Sequence, residues 1–175
     1  MAWKSAALSF VFLAACVSAQ AQQTATEEPY APYAALIGEW DTGVGGNIVQ
    51  RFRWGPEHAY VLYSTSTIDT GGAEHLHFEG IFLYNAAHRN MDFLVAVEPG
   101  SLGQEQGTLH VEPDGSIVRE VTLTGATGQV SHFRQTFRLR DGAVAETGLM
   151  RQSADGSWAP NFPGSDHLLM RRRAG

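Results

Sequence analysis

LIGEW, Leu36-Ile37-Gly38-Glu39-Trp40, is the stretch on which the reading of this chain turns, because a short apolar run gives way there to DTGVGG and then to alternating strands. Downstream of it no segment sustains a helical repeat for three turns. Runs of Val, Ile, Phe, Tyr and Thr with a period near two follow instead, and turn sequences separate them. These are Gly55-Pro56, Gly71-Gly72, His88-Arg89-Asn90, Pro99-Gly100, Asp114-Gly115, Gly125 to Gly128, Asp141-Gly142 and Asp155-Gly156. Turns so regularly spaced imply about nine or ten strands in an antiparallel meander. A meander of that length must hide its edges, so the expectation is an all-β, closed or nearly closed up-and-down barrel with one short N-terminal helical turn.

Upstream of LIGEW the chain reads differently. Residues 1–21 combine Lys4, an apolar run from Ala6 to Val17 and the small-residue site Ala19-Gln20-Ala21, the pattern of an export signal cut after Ala21. The apolar run is too short to span a membrane. A competing pattern, Leu13-Ala14-Ala15-Cys16, matches a bacterial lipoprotein signal, in which cleavage before the cysteine is followed by lipid attachment. The first route makes the protein periplasmic or secreted. The second anchors it in the bacterial envelope through Cys16, the one way in which a membrane becomes its partner.

Residues 22–35 are polar and proline-bearing at first, a tether leading into a helical turn near Tyr33, and residues 36–173 are assigned to the barrel. Removing residues 1–21 leaves 154 of the 175 residues, enough for one core. It also removes the single cysteine, so the remaining domain has no disulfide, thiol nucleophile or thiolate ligand. With Lys4 gone, 11 basic residues face 18 acidic ones, which argues against nucleic acid as a partner.

Alternation sorts the faces of several strands. Ile48, Gln50, Phe52 and Trp54 share an inward face, as do Met91, Phe93, Val95 and Val97; Ile117, Arg119, Val121 and Leu123; and Phe133, Gln135, Phe137 and Leu139. The opposite face of the last of these, with His132, Arg134, Thr136, Arg138 and Arg140, must be wet. Gln50, Arg119 and Gln135 thus stand within apolar stripes. An unpaired buried arginine costs several kcal/mol, so Arg119 meets an acid, reaches bulk water or faces a hydrated or ligand-filled hollow. A barrel of this strand number is too wide for its own side chains to fill.

Gly38-x-Trp40 after a helical turn and before a long meander resembles the calycin superfamily of lipocalins, fatty-acid-binding proteins and nitrobindin-like barrels. The resemblance implies that Trp40 closes one end, its ring filling the floor while its N–H finds a partner. A closer resemblance is to a bacterial lipocalin-like family of unknown function. It rests on Gly38-Glu39-Trp40, Gln50-Arg51-Phe52-Arg53-Trp54, Glu79-Gly80-Ile81-Phe82-Leu83-Tyr84-Asn85 and the terminal Arg171-Arg172-Arg173. Nitrobindins hold haem through a last-strand histidine, which makes haem the cofactor to consider. Aligned on the basic cluster, that position falls near Leu169, with His167 one step earlier on the same face, a shift of about 7 Å.

Other chemistry has less footing. His75, His77 and Glu79 alternate in AEHLHFEG and would point together from one strand as metal ligands, while Leu76, Phe78, Phe82 and Tyr84 on the companion face suit the interior. A solvated strand face is the simpler reading, and no metal is expected. Ser64 and Ser66 lack a nucleophile-elbow motif, and Val44-Gly45-Gly46 is too short for a phosphate loop. Acid–base catalysis of the isomerase or cyclase kind would need only a cavity, an acid such as Glu79 or Tyr84, and Arg119 as the cation. The loop Ser157 to Asp166, with Trp158 and Phe162 between prolines, would be a lid, a partner contact or a packed cap.

The expected function is binding of a small apolar or amphipathic molecule, with an acidic group facing Arg119 as an option. Trp40, Gln50, Phe52, Phe78, Tyr84, Phe93, Arg119, Gln135 and His167 are the candidate contacts, and none is assigned a catalytic role. The alternatives are haem or isomerase-type chemistry in the same cavity, and an envelope interaction protein whose loops do the work.

Overall fold

The structure is a computed structural model and describes residues 28–42, 47–98, 100–142 and 144–173. The expected export signal of residues 1–21 with Cys16, the first part of the expected tether and the Val44-Gly45-Gly46 segment lie outside the described residues.

A 3₁₀ helix, Ala31–Leu36, leads into eleven strands: β1 Gly38–Thr42, β2 Ile48–Trp54, β3 Val61–Ile68, β4 Glu74–Asn85, β5 Asn90–Val97, β6 Gly103–Val111, β7 Ile117–Thr124, β8 Val130–Leu139, β9 Val144–Gln152, β10 Trp158–Pro160 and β11 Leu168–Arg172. Each strand from β1 to β8 pairs antiparallel with the next. The first half of β9 then pairs with β11, and β11 with β1, closing a ring of ten strands. The second half of β9 takes the three-residue β10 on the edge that β11 leaves free. Among the described residues the predicted turns fall between strands or at a strand's first residue, as Asn90 does. In two of them the same Asp-Gly-Ser chemistry recurs: Asp114 and Asp155 each accept from the backbone N–H and hydroxyl of the serine two residues on.

The LIGEW stretch explains how one end is shut. The buried side chains of Tyr33 and Leu36 plug that end, and Trp40, fully buried beside them, donates its indole N–H to the Leu36 carbonyl at 2.7 Å. Arg172 of β11 lies over the indole ring, 4.3 Å from its centroid. Its guanidinium donates to the carbonyls of Ala35 (2.9 Å), Ile37 and Gly142 (2.7 Å), so the end of the 3₁₀ helix is tied to the last strand. Gly38 stands at φ 143°, and a Cβ there would collide with Arg172 Nη1. The glycine two residues before the tryptophan is thus the space through which the arginine reaches.

Above this plug the lower barrel is solid. Phe52, Tyr63, Phe82, Phe93 and Phe137 pack as one aromatic layer, with centroid separations of 5.1 Å for Phe52–Tyr63, 5.0 Å for Phe82–Phe93 and 6.0 Å for Phe52–Phe137. Met91, Leu109, Ile117, Ala145 and Met170 complete it. The expected inward stripes on β2, β5, β7 and β8 match this core.

Strand β4 departs from simple alternation. Thr65 pairs with Phe78 but Ser66 pairs with Leu76, so His77 is an extra residue in the ladder. Two residues opposing one reverse the faces beyond that point. Leu76, expected inside with Phe78, consequently lies on the outer surface with Arg51, Arg53, Ser64, Glu74 and Glu79.

Candidate functional site: a half-barrel cavity over a buried ion pair

The opposite half of the barrel is hollow. A cavity of about 250 Å³ opens toward the ends of β1, β3 and β7 and the starts of β2, β4 and β8. Its walls are largely apolar, with Ile48, Phe78, Val121, Leu123, Phe133 and Leu149 among them. The loop after β10 roofs part of the mouth. Asn161 and Phe162 face the cavity, while Ser165, fully buried, fixes the loop by donating its hydroxyl to the Leu149 carbonyl at 2.8 Å. Of the three readings of this segment, a packed cap describes its geometry. Trp158 instead lies outside, with the Arg134 guanidinium 4.8 Å from its ring.

Polar groups gather at the inner end. Arg119, 5% exposed, forms an ion pair with Glu105, 8% exposed. The two lie on adjacent strands, and Gly107, which carries no side chain, sits between Glu105 and Leu109 on the inward face of β6. The arginine rests on aromatic rings, 4.6 Å from the Phe93 centroid and 4.9 Å from that of Tyr63. The Tyr63 hydroxyl meets Thr65 Oγ1 at 2.7 Å, accepts from Gln50 Nε2 at 3.4 Å and from Arg119 Nη1 at 3.5 Å. Burial pushes the Tyr63 pKa above the usual tyrosine range; the Arg119 charge opposes this and the Glu105 charge adds to it. The hydroxyl therefore keeps its proton. Farther round the wall, Gln135 Nε2 donates to Thr147 Oγ1 at 3.4 Å. Arg119 Nε and Gln50 Oε1 are both buried and without a hydrogen-bond partner.

Four of the nine sequence candidates border the cavity: Gln50, Phe78, Arg119 and Gln135. Phe52 and Phe93 lie in the aromatic layer beneath it, Trp40 belongs to the plug at the closed end, and Tyr84 packs edge-on against Tyr30, their centroids 6.0 Å apart. The cavity floor is thus the Tyr63–Arg119–Glu105 layer and not the indole. His167 requires a correction. Its side chain is 75% exposed on the outer surface between Glu146 and Asp166, while Leu168 and Met170 are the residues of β11 that turn inward. Strand alternation does put His167 and Leu169 on one face, but it is the outer one.

His75, His77 and Glu79 do not converge either. Glu79 lies on the outer surface, as its parity against Phe78 and Phe82 requires, while His75 pairs with Asp69 at 3.3 Å, and His77 with Glu98 at 3.1 Å and Thr67 at 2.9 Å. Among the described residues no three His, Cys, Asp or Glu side chains come together as metal ligands.

Glu105, Tyr63, Thr65 and Thr147 are the site residues that sequence reasoning missed. The inward face of β6 reads Gly103, Glu105, Gly107, Leu109, with one apolar side chain in four, so no hydrophobic stripe marked it. The available signal was indirect: a buried arginine needs a carboxylate, and Glu105 shares the parity of Leu109.

The closed ten-stranded antiparallel barrel with its plugged end is compatible with a calycin-like fold. No protein-family model matches the chain, and no curated protein or solved structure matches it.

Proposed function

We propose that this protein is an exported barrel that binds a small, mainly apolar molecule, with the molecule's polar end directed at the Arg119–Glu105–Tyr63 layer. One observation carries the reading: an apolar-walled cavity of about 250 Å³ ends on the buried polar layer of Arg119, Glu105 and Tyr63. Scaled from a 150 Å³ cavity that takes up benzene, its volume suits an occupant of roughly ten non-hydrogen atoms. Phe162 and Asn161 at the mouth give such a molecule an entrance. Export rests on residues 1–21, with a periplasmic or secreted location after cleavage behind Ala21 and envelope anchoring after cleavage before Cys16. Kinship with the bacterial lipocalin-like and nitrobindin-like barrels rests on the four motifs quoted above and on the plugged closed barrel.

Naphthalene, of about the right size and without a polar head, tests the cavity separately from its floor. In protein-observed NMR titration it should shift signals of Val121, Leu123 and Leu149 with one-to-one saturation. Leu123→Trp, which fills the space, should abolish the shifts without changing the fold. Absence of any naphthalene binding to the wild type overturns the reading.

A further inference from the structure

Resting on that reading, we propose that Glu105 sets the charge class of the occupant, so that the cavity selects a neutral molecule whose head group both accepts and donates a hydrogen bond, an alcohol being the simplest case. Among the described residues bordering the cavity, Arg119 and Glu105 are the two charged ones, and they face each other. The cavity as a whole is therefore neutral. A carboxylate entering it would meet Arg119 only by lying against Glu105, and an ammonium would meet Glu105 only by lying against Arg119. Either leaves an excess charge desolvated in an apolar chamber.

The orphan atoms describe the head group further. Arg119 Nε offers a buried N–H with no acceptor, and Gln50 Oε1 is a buried acceptor with no donor. A hydroxyl has the capacity for either role, accepting from an N–H or donating to an amide oxygen. A carboxylate carries no donor for Gln50, and an ammonium no acceptor for Arg119. Turning the Gln50 amide would exchange its donor and acceptor but leave the neutrality of the cavity intact. Tyr63, held protonated, adds no charge of its own.

The experiment compares 1-octanol, octanoate and octylamine at neutral pH, by calorimetry or by competition with naphthalene. Wild-type protein should bind octanol about tenfold or more tightly than either ion. Glu105→Gln leaves Arg119 uncompensated and should raise octanoate above octylamine by a similar factor. Arg119→Gln should invert that order, and it supplies the same test if Glu105→Gln does not fold. Octanoate binding the wild type as tightly as octanol, or an ion ranking unmoved by either substitution, overturns the assignment. If naphthalene binds and the octyl ranking is wrong, the charge rule alone fails. If naphthalene and all three octyl probes fail to bind, the binding reading falls with it.

Discussion

Replacing Gly38 by alanine tests the closure of the barrel where β1 meets β11. At φ 143° the backbone occupies a region that residues with a Cβ rarely adopt, and holding alanine there costs about 1–3 kcal/mol. The new methyl also displaces the Arg172 guanidinium from the carbonyls of Ala35 and Ile37 and from the face of Trp40. A charged hydrogen bond contributes about 1.5–3 kcal/mol and the ring contact about 0.5–2 kcal/mol, and partial solvent access at Arg172 puts both toward the low end. The total destabilisation is roughly 3–5 kcal/mol, a large share of a typical domain's 5–15 kcal/mol.

Urea unfolding monitored by tryptophan fluorescence reads this as a lower midpoint at constant slope. The decisive version is a double-mutant cycle with Arg172→Met. Once the guanidinium is gone, Gly38→Ala should cost only the backbone part, about 1–3 kcal/mol, giving a coupling of about 2 kcal/mol. A cost for Gly38→Ala below about 1 kcal/mol, or a coupling below about 0.5 kcal/mol, would show that Arg172 does not use the space the glycine leaves.

Tyr63→Phe keeps the ring under Arg119 but removes the hydroxyl shared by Thr65, Gln50 and Arg119, and should lower stability by about 1–3 kcal/mol in urea unfolding. An unchanged midpoint would mean that the hydroxyl contributes nothing to the cavity floor. At alkaline pH the buried tyrosines control stability. Burial, with the Tyr84 charge adding to it, pushes the Tyr33 pKa to about 12, and Tyr63 is raised as well, whereas unfolded tyrosine ionises near 10. The unfolded state therefore loses its protons first. The stability contribution is full below about pH 10 and is lost as pH rises toward about 12, by up to roughly 1.4 kcal/mol per pH unit for each tyrosine. Thermal melts across this range with tyrosinate absorbance check it; ionisation of every tyrosine near pH 10 in the folded protein would refute it.

Much of the barrel was legible along the chain because a strand's side chains alternate and its ends carry turn residues. Eight turn sequences gave the strand count, and the parity of Phe52, Phe93, Arg119 and Phe137 placed them on the inner wall without reference to any neighbour. Arg119 stood out because an arginine in an apolar stripe must be accounted for. Parity could not say which of two faces is inner where both are mixed, as on β11; the candidacy of His167 came from the nitrobindin resemblance, which parity had no means to check. Nor can it register an extra residue, whose presence shows only when the partner strand's ladder is laid beside it; the reversal at His77 carried Leu76 outward.

Which groups meet across the barrel depends on ring closure and register, and these are set by many weak pairings acting together rather than by any local run. Closure brought Arg172 from the end of the chain onto Trp40 near its start, and gave the Gly38-x-Trp40 pattern its physical cause. Register set Arg119 within reach of Glu105, on a strand whose inward face has too few apolar residues to announce itself. Local patterning thus decided that there would be a wall and which residues form it. The width of that wall, the aromatic layer filling one half of it and the neutral ion pair flooring the other emerged only when the strands were assembled, because charge compensation and packing are properties of neighbours in space.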